Sequence, residues 1–258
     1  MVLTLPLGQA AASDVPADRP VRGGRRATAH DRGVRPGRPA RTDAGRRDTN
    51  EDAAHATDGL LAVADGIRGP GGAQAAAAAI AALAGAAKVD PAALLATVEA
   101  ADRAVTGLAG PVTTLTALCW SGTRLGLIHI GDTRAYLLRH GELARLTQDH
   151  SYVQTLVDQG ELPPGEAAGH PQRALLVRAL GAGPGRSEAD IAVRTALLGD
   201  RYLLCSDGLW AVTGDAALRD ALAAGGEPGD VVDRLVDLAY AGGAPDNIAC
   251  VVADVVEA

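Results

Sequence analysis

Seven strand-like runs of apolar and β-branched residues restrict the fold of this chain more than any other feature. They are "GLLAVA" (59–64), "VTTLTALCW" (112–120), "RLGLIHI" (124–130), "RAYLLRHGELARLT" (134–147), "ADIAVRTA" (189–196), "RYLLCS" (201–206) and "NIACVVADVV" (247–256). Several follow one another closely, and the fourth folds back on itself at His140-Gly141. Short connections join antiparallel strands, so we expect antiparallel hairpins to dominate.

Four further segments have the composition and spacing of helices, and they lie between groups of strands: 73–87, 91–109, 151–160 and 229–243. Strands grouped as meanders, with long helices inserted in pairs, predict an α+β domain of layers in which helices cover the sheets. The chain has 258 residues, of which 47% are hydrophobic, and this is enough to bury a sizeable core.

Residues 1–38 differ from the rest of the chain. They hold seven arginines against three acidic residues and lack apolar periodicity after the first few positions. We expect a basic, disordered tail over 1–38 and a folded domain over 39–258. The tail could contact a polyanion or a membrane surface, or could be a plain solvated extension. The folded part carries a formal charge of about −11, which argues against nucleic-acid binding.

Location and oligomeric state follow from weaker signals. No stretch approaches the roughly 20 apolar residues of a membrane span, and the first residues lack the basic leader of a secretion signal. The three cysteines lie inside apolar runs without metal-binding spacing, which favours a reducing compartment. We therefore expect a cytoplasmic protein, and a monomer.

An aspartate lies at the end or start of four strand-like runs, each time with Gly or Asn close by: Asp65, Asp132, Asp207 and Asp246. A fifth acidic site, Glu51-Asp52, precedes the first run. A single Asp at a strand end is usually a turn residue or a helix cap. Four together predict a carboxylate cluster, which repels itself unless cations neutralise it.

The ligand types indicate which cations these are. Hard divalent ions such as Mg²⁺ and Mn²⁺ prefer oxygen ligands and keep several waters, whereas zinc prefers the histidine and thiolate ligands that these positions lack. Two ions about 4 Å apart can activate a water and clamp a phosphoryl oxygen. Arg47, four residues before Glu51, offers bidentate recognition of a phosphate.

Seven motifs in this order resemble the metal-dependent protein phosphatases of type 2C in their bacterial form: "TDAGRRDTNEDA" (42–53), "LLAVADGIRGPGG" (60–72), "VTTLTALCW" (112–120), "HIGDTRAYLLRHGELARLTQDHS" (129–151), "HPQRALLVRALG" (170–181), "YLLCSDGLW" (202–210) and "APDNIACVV" (244–252). The resemblance covers about residues 40–257. It implies a four-layer α-β-β-α sandwich of two antiparallel sheets flanked by helices, with a metal centre in a cleft at one end.

The resemblance also implies a set of metal ligands. Asp65 would bridge two Mn²⁺ or Mg²⁺ ions, and Gly66 would offer its carbonyl to one of them. Asp207 and Asp246 would complete the other. Asp132, together with Asp207, would hold a weaker third ion.

The same resemblance implies hydrolysis of phosphoserine and phosphothreonine in proteins, opposing bacterial Ser/Thr kinases. Arg47 would hold the substrate phosphate, and Glu51 and Asp52 would act through metal-bound waters. The nucleophile would be a water rather than a side chain, so Arg47, Asp65 and Asp207 would form the catalytic set.

One loop departs from the family pattern, because Ile67, Arg68, Gly69 and Pro70 replace the usual Met-Gly-Gly-His. The change affects no predicted metal ligand, but it keeps two alternatives open: a catalytically degenerate regulator that binds phosphoproteins, or a metallophosphatase of small metabolites. Residues 148–187 fit the movable flap of bacterial members. Before this segment, His129 is predicted to be a packed core residue or a hydrogen-bonded partner rather than a catalyst. Within the segment, local capping by Asp149 or Ser151 accounts for His150.

Overall fold

Two antiparallel sheets of six strands each form the centre of the molecule. The structure is a computed structural model that describes residues 32–36, 40–67, 71–84, 88–108, 110–183 and 187–257. The first sheet contains β1 (Arg32–Pro36), β2 (Arg41–Asp43), β8 (Arg134–Arg139), β9 (Glu142–Arg145), β11 (Arg201–Cys205) and β12 (Ile248–Glu257). Its order is β1-β12-β11-β8-β9, and β2 also pairs with β12.

The second sheet contains β3 (Asp52–Thr57), β4 (Leu60–Ile67), β5 (Val112–Thr113), β6 (Leu115–Ser121), β7 (Arg124–Ile130) and β10 (Asp190–Thr195). Its order is β10-β7-β6-β4-β3, and β5 pairs with the end of β4. Strands that are neighbours in sequence pair as hairpins, as the short connections predict.

Helices cover the outer face of each sheet. The described helices are α1 (Gly72–Ala81), α2 (Pro91–Thr106), α3 (Tyr152–Asp158), α4 (Asp207–Thr213), α5 (Asp215–Ala223) and α6 (Pro228–Ala241), with a 3-10 helix at Pro164–Gly169. α1 and α2 share one apolar cluster with the second sheet, and α5 and α6 share another with the first. The predicted four-layer α-β-β-α sandwich is confirmed.

A third apolar cluster, the inter-sheet layer, fills the space between the two sheets. Its main members are Leu61, Val63, Leu118, Trp120, Leu125 and Leu127 from the second sheet and Ala135, Leu137, Tyr202, Leu204, Val251 and Val255 from the first. Because helices cover the outer faces, the central strands are buried on both sides. This burial explains why their sequences are continuous apolar runs rather than alternating ones.

Helix α2 shows how local sequence fixes an element. Its N-cap Asp90 accepts a hydrogen bond from the Ala93 N–H at 2.9 Å, and Pro91 occupies the first turn. Leu94, Val98, Ala101 and Val105 recur at helical spacing and are buried against the second sheet.

All seven predicted runs form strands, and two of the runs are each divided into two strands. The run 112–120 is interrupted at Thr114, which separates β5 from β6. The run 134–147 turns at His140 and Gly141, whose φ angles of 54° and 83° are left-handed, as the hairpin requires. None of the described helices combines the length and apolar character that a bilayer crossing needs.

The predicted tail boundary falls too late in the chain. Residues Arg32–Pro36 lie within the predicted tail, yet they form β1 and pair with β12 in a regular antiparallel register, Val34 opposite Val255. Strand pairing uses backbone groups, so it does not need the apolar periodicity that the prediction looked for. The rest of 1–38 lies outside the described residues, and the disorder expected there stays a prediction.

Candidate metal centre

Strand direction brings the predicted aspartates to one end of the sandwich. β4 and β7 both pair antiparallel with β6, so their ends, which carry Asp65 and Asp132, point the same way. β11 and β12 are antiparallel, so Asp207 after β11 and Asp246 before β12 lie at a shared edge. Asp52 lies directly opposite Asp65 across the β3–β4 ladder.

Asp52 links the two sheets at this end. Its Oδ2 accepts a hydrogen bond from the Ser206 hydroxyl at 2.7 Å, whereas its Oδ1 is buried and has no partner among the described residues. Burial raises the pKa of Asp52 to about 7, opposed by the Ser206 hydrogen bond and assisted by the charges of Asp207 and Asp246. A buried carboxylate oxygen without a donor is an open position for a cation or its water.

Two threonines fix the main chain at Asp65. The Thr114 hydroxyl accepts a hydrogen bond from the Asp65 N–H, and the Thr113 hydroxyl donates to the Asp65 carbonyl, both at 2.8 Å. Burial raises the pKa of Asp65 well above its usual range, and the charges of Asp52, Asp207 and other acids add to the rise. The threonines therefore hold in place a carboxylate that its neighbours repel.

Gly66 lies where two segments of backbone meet. Its N–H donates to the Glu51 carbonyl at 3.1 Å, and a side chain at Gly66 would overlap the carbonyl of Gly72 at the start of α1. A side chain at Gly72 would in turn reach within 2.6 Å of Glu51 Oε2. The glycines thus allow α1, the β4 end and Glu51 to converge.

Asp207 is the first residue of α4, and Ser206 is its N-cap. Burial raises the pKa of Asp207 to about 6, and the charge of Asp246 adds to the rise, while Arg173 and Arg47 oppose it. Arg173 belongs to the segment 148–183, so that segment brings a cation near the carboxylates.

Asp246 and Arg47 form an ion pair in this structure. Arg47 donates from Nη2 to Asp246 Oδ2 at 2.8 Å and from Nε to the Pro245 carbonyl at 3.1 Å. Both side chains are exposed, with fractions of 57% and 40%. An exposed ion pair stabilises a fold by at most about 1 kcal/mol, so a phosphate can replace Asp246 as the partner of Arg47 at little cost in free energy.

Asp132 is buried, and its main chain is held from α4. Trp210 donates from Nε1 to the Asp132 carbonyl at 3.0 Å, and the Arg134 guanidinium stacks on the Trp210 ring, 3.4 Å from its centroid. Burial raises the pKa of Asp132 well above its usual range, and the charges of Asp207 and Asp149 contribute.

Sequence reasoning missed the neutral residues that hold this site. Asn247 donates to the Ala44 and Thr49 carbonyls and accepts from the Glu51 N–H, which fixes the loop between β2 and β3. Ser206 joins Asp52 to the first sheet. Both stand beside a predicted ligand inside a quoted motif, and that adjacency is the signal that could have found them.

The arrangement fits divalent cations held by oxygen. Among the described residues, no three Asp, Glu, His or Cys side chains converge closely enough to hold one ion unaided. Mg²⁺ and Mn²⁺ do not require this, since they retain waters and accept one or two carboxylates each. The free Asp52 oxygen and the raised pKa values show a site short of positive charge. Arg68 and Pro70 lie outside the described residues.

Comparisons with known proteins give the family. No family model matches the chain. The serine/threonine protein phosphatase PstP of Mycobacterium tuberculosis is 47% identical over 233 residues, which cover 84% of this chain and 45% of PstP. The serine/threonine phosphatase stp of Listeria welshimeri is 36% identical over 141 residues, 55% of this chain and 56% of that protein. The chain thus spans about half the length of these curated relatives.

Solved structures match over their whole length. The M. tuberculosis PstP/Ppp crystal structure has a TM-score of 0.81 at 44% identity and covers 88% of this chain and 100% of that one. The PstP catalytic domain solved with two manganese ions has a TM-score of 0.79 at 43% identity, covering 87% and 99%. The PPM Ser-Thr phosphatase MsPP of Mycobacterium smegmatis has a TM-score of 0.76 at 39% identity, covering 83% and 96%. This chain therefore belongs to the PPM, or type 2C, family of serine/threonine phosphatases.

Proposed function

We propose that this chain hydrolyses phosphoserine and phosphothreonine in proteins, with two Mn²⁺ or Mg²⁺ ions and a weaker third. The observation that carries the proposal is the convergence of Asp52, Asp65, Asp132, Asp207 and Asp246 at one end of the sandwich, with raised pKa values for four of them. Metal ions bound between these carboxylates would offset the repulsion among their negative charges.

The residue roles in this proposal are those that the family resemblance implies. Asp65, between its acidic neighbours, would bridge two ions, and the Gly66 carbonyl would add a ligand to one of them. Asp207 and Asp246 would hold the other, and Asp132 with Asp207 the third. Bound ions would supply positive charge and a water of lowered pKa.

The remaining polar groups would bind substrate and water. Arg47, weakly paired with Asp246, would turn to the substrate phosphate and hold it by two hydrogen bonds. Glu51 and Asp52 would accept hydrogen bonds from waters beside the ions. Asn247 keeps Arg47 and Glu51 in register by fixing the loop that carries both.

The cellular setting is part of the proposal. The substrates would be phosphoproteins made by Ser/Thr kinases, and the catalytic domain, residues 39–258 extended to include β1, would act as a monomer in the cytoplasm. Cys119, Cys205 and Cys250 are free and buried, which suits a reducing compartment.

The test compares Asp207→Asn with the parent and with Asp237→Asn, a matched change on the exposed face of α6. Turnover of a phosphothreonine peptide is measured at saturating Mn²⁺ and in EDTA, with a thermal melt of each protein. Asp207→Asn should lose at least about a hundredfold in turnover, or roughly 2.7 kcal/mol of barrier, and should stay folded. Asp237→Asn should match the parent.

Three outcomes would overturn the proposal. Near-parental turnover by Asp207→Asn would show that the metal centre is misassigned. A parent that binds the phosphopeptide without turnover in Mn²⁺ or Mg²⁺ would be a phosphoprotein-binding regulator. Preferential hydrolysis of a sugar phosphate would identify a metabolite phosphatase.

A further inference from the structure

His150 joins the loop that carries Asp132 to the segment that follows the 3-10 helix. Its side chain is buried, with 6% exposed, and both ring nitrogens face polar groups of other segments. The capping explanation does not use this side chain, because Ser151 caps α3 by accepting from the Gln154 N–H and Asp149 binds Arg134. The buried imidazole of His150 therefore has another use.

One side of His150 holds the Asp132 loop. The His150 N–H donates to the Gly131 carbonyl at 2.7 Å, and the Gly131 N–H donates to His150 Nδ1 at 3.2 Å. Gly131 has a φ of 105°, which only glycine adopts readily, and a side chain there would overlap Thr114. The residue before Asp132 is thus held in an unusual conformation by two bonds to His150.

The other side of His150 faces the sheet edge and the later segment. Since Nδ1 accepts from Gly131, the proton lies on Nε2, which donates to Asp190 Oδ2 at 3.2 Å. Arg178 Nη1 lies 3.3 Å from the same ring nitrogen and donates to the other oxygen, Asp190 Oδ1, at 3.1 Å. The Val177 N–H donates to the His150 carbonyl at 2.8 Å. One ring therefore spans Gly131 and the Asp190–Arg178 pair.

The segment attached in this way borders the candidate metal centre. Five residues before Arg178 lies Arg173, whose positive charge lowers the pKa of Asp207. Holding Arg178 through Asp190 thus limits where Arg173 can lie relative to the carboxylates. The ring thus makes two hydrogen bonds of different kinds, since Nδ1 accepts one and Nε2 donates the other.

We propose that His150 is a positioning residue, whose Nδ1 fixes the Asp132 loop for metal binding and whose Nε2 fixes the Arg173–Arg178 segment for substrate binding. This inference rests on the proposed phosphatase function. Its test uses two variants that each keep one of the two hydrogen bonds of the ring. Asn places an acceptor oxygen near the position of Nδ1, and Gln places a donor amide near that of Nε2.

The experiment compares the parent with His150→Asn, His150→Gln and Asp190→Asn. His140→Asn is the matched control, since His140 is exposed in the β8–β9 turn with a left-handed φ that Asn tolerates. Each protein is assayed for half-saturating Mn²⁺ and for KM and kcat on a phosphothreonine peptide. Amide hydrogen exchange over residues 129–133 is measured without metal.

His150→Gln should raise half-saturating Mn²⁺ by about fivefold and speed exchange over 129–133 by a similar factor, as expected for one lost hydrogen bond. His150→Asn should keep both near the parent values but raise KM by about fivefold with little change in kcat. Asp190→Asn, at a half-exposed side chain, should behave like His150→Asn. His140→Asn should change nothing.

The pattern across the variants decides the outcome. If His150→Asn and His150→Gln change the same parameters equally, or if Asp190→Asn leaves KM unaltered, the two-sided role is wrong. If the parent has no phosphatase activity, the proposed function fails. The exchange measurement then still tests the Gly131 contact by itself, and equal exchange in all four variants would overturn it.

Discussion

Asn247 is a neutral residue within an acidic site, and its three hydrogen bonds explain why it is an amide. Its Nδ2 donates to two main-chain carbonyls at 3.0 and 2.8 Å, and its Oδ1 accepts from the Glu51 N–H at 2.8 Å. A carboxylate could accept the last bond but could not donate the first two, and it would add one more negative charge to the cluster.

Replacing Asn247 by Ala should therefore cost about 2–4 kcal/mol of unfolding free energy, because three backbone groups lose the hydrogen-bond partner that the buried Asn247 side chain provides. KM for a phosphopeptide should also rise, since Arg47 lies on the loop that Asn247 holds. Denaturant titration and steady-state kinetics measure both effects. Asn50→Ala is the matched control, because Asn50 accepts one bond, from the Asp52 N–H, and its loss should cost about 1 kcal/mol. Equal costs for the two variants would contradict this account.

The residues of the candidate site differ in how clearly the neighbouring sequence identifies them as functional. Asp65, Asp132, Asp207 and Asp246 could be predicted, because a charge beside an apolar run is conspicuous. Ser206 and Asn247 could not, since Ser and Asn next to Asp also read as ordinary turn or cap residues. Their function depends on partners up to 203 positions away in the chain, as in the contact of Asn247 with Ala44, and no local pattern contains that information.

At the scale of elements, the corner between β4 and α1 is the tightest junction of the candidate site. The Gly66 Cα faces the Gly72 carbonyl, and Gly72 faces Glu51. The helix start can come this close to the strand end only because neither residue has a Cβ.

Gly66→Ala should lower stability by about 3 kcal/mol or more and reduce Mn²⁺ affinity, because a Cβ would push backbone against backbone. Gly72→Ala should cost less, since its Cβ would first meet the movable carboxylate end of Glu51 and would reach the Gly66 backbone only at 2.9 Å, whereas a Cβ at Gly66 would meet three backbone atoms of Gly72 at shorter distances. Gly59→Ala is the control, because a Cβ there would meet nothing within 4 Å. Thermal melts with and without Mn²⁺ provide the ranking, and a neutral Gly66→Ala would show that the junction is not tight.

Strand β1 supports a second prediction about an element. A chain starting at residue 40 should melt lower than one starting at residue 32, because β12 loses the ladder with Arg32–Pro36 at one edge of the first sheet. Both truncations are prepared and melted side by side in Mn²⁺. Identical melting temperatures would mean that β1 adds nothing to the stability of the sheet.

Elements with a strong apolar pattern could be predicted from the sequence, and those with a weak pattern could not. The central strands are continuous apolar runs because both of their faces are covered. β3, "DAAHAT", is mostly half-buried and Ala-rich, so its pattern is faint. Only Ser206 separates the end of β11 from the start of α4 at Asp207. Because Asp207 was interpreted as a metal ligand, the helix start at the same residue was not predicted.

At the scale of the whole molecule, the carboxylates make stability depend on metal and pH together. Asp52 and Asp207 have pKa values of about 7 and about 6, and those of Asp65 and Asp132 are also raised, all because of burial first. Without metal, the native state then holds more protons than the unfolded state above about pH 4, so these groups stabilise the fold less as pH rises. Metal binding by the proposed ligands would reverse that trend, because the ions compete with the protons.

The increase in melting temperature on adding Mn²⁺ should therefore grow between about pH 5.5 and pH 7.5. Burial lowers the pKa of His129 to about 3, so His129 makes the fold more stable as pH rises, with or without metal. The difference between the melting temperatures with and without Mn²⁺ cancels this contribution. Melts at several pH values in EDTA and in Mn²⁺ measure it. Asp65→Asn should flatten the dependence, and an increment that falls with pH would contradict the assignment.

The candidate ligands are divided between the two sheets. Asp52 and Asp65 lie on strands of the second sheet and Asp132 follows its strand β7, whereas Asp207 follows β11 and Asp246 precedes β12 of the first sheet. The separation between these two groups is set by how thickly the inter-sheet layer is packed, through residues such as Leu127 and Leu204. The affinity for manganese should therefore depend on the distance between the two sheets. Removing one methyl group from the inter-sheet layer, with no polar atom changed, should alter the Mn²⁺ concentration that the protein needs for half-saturation.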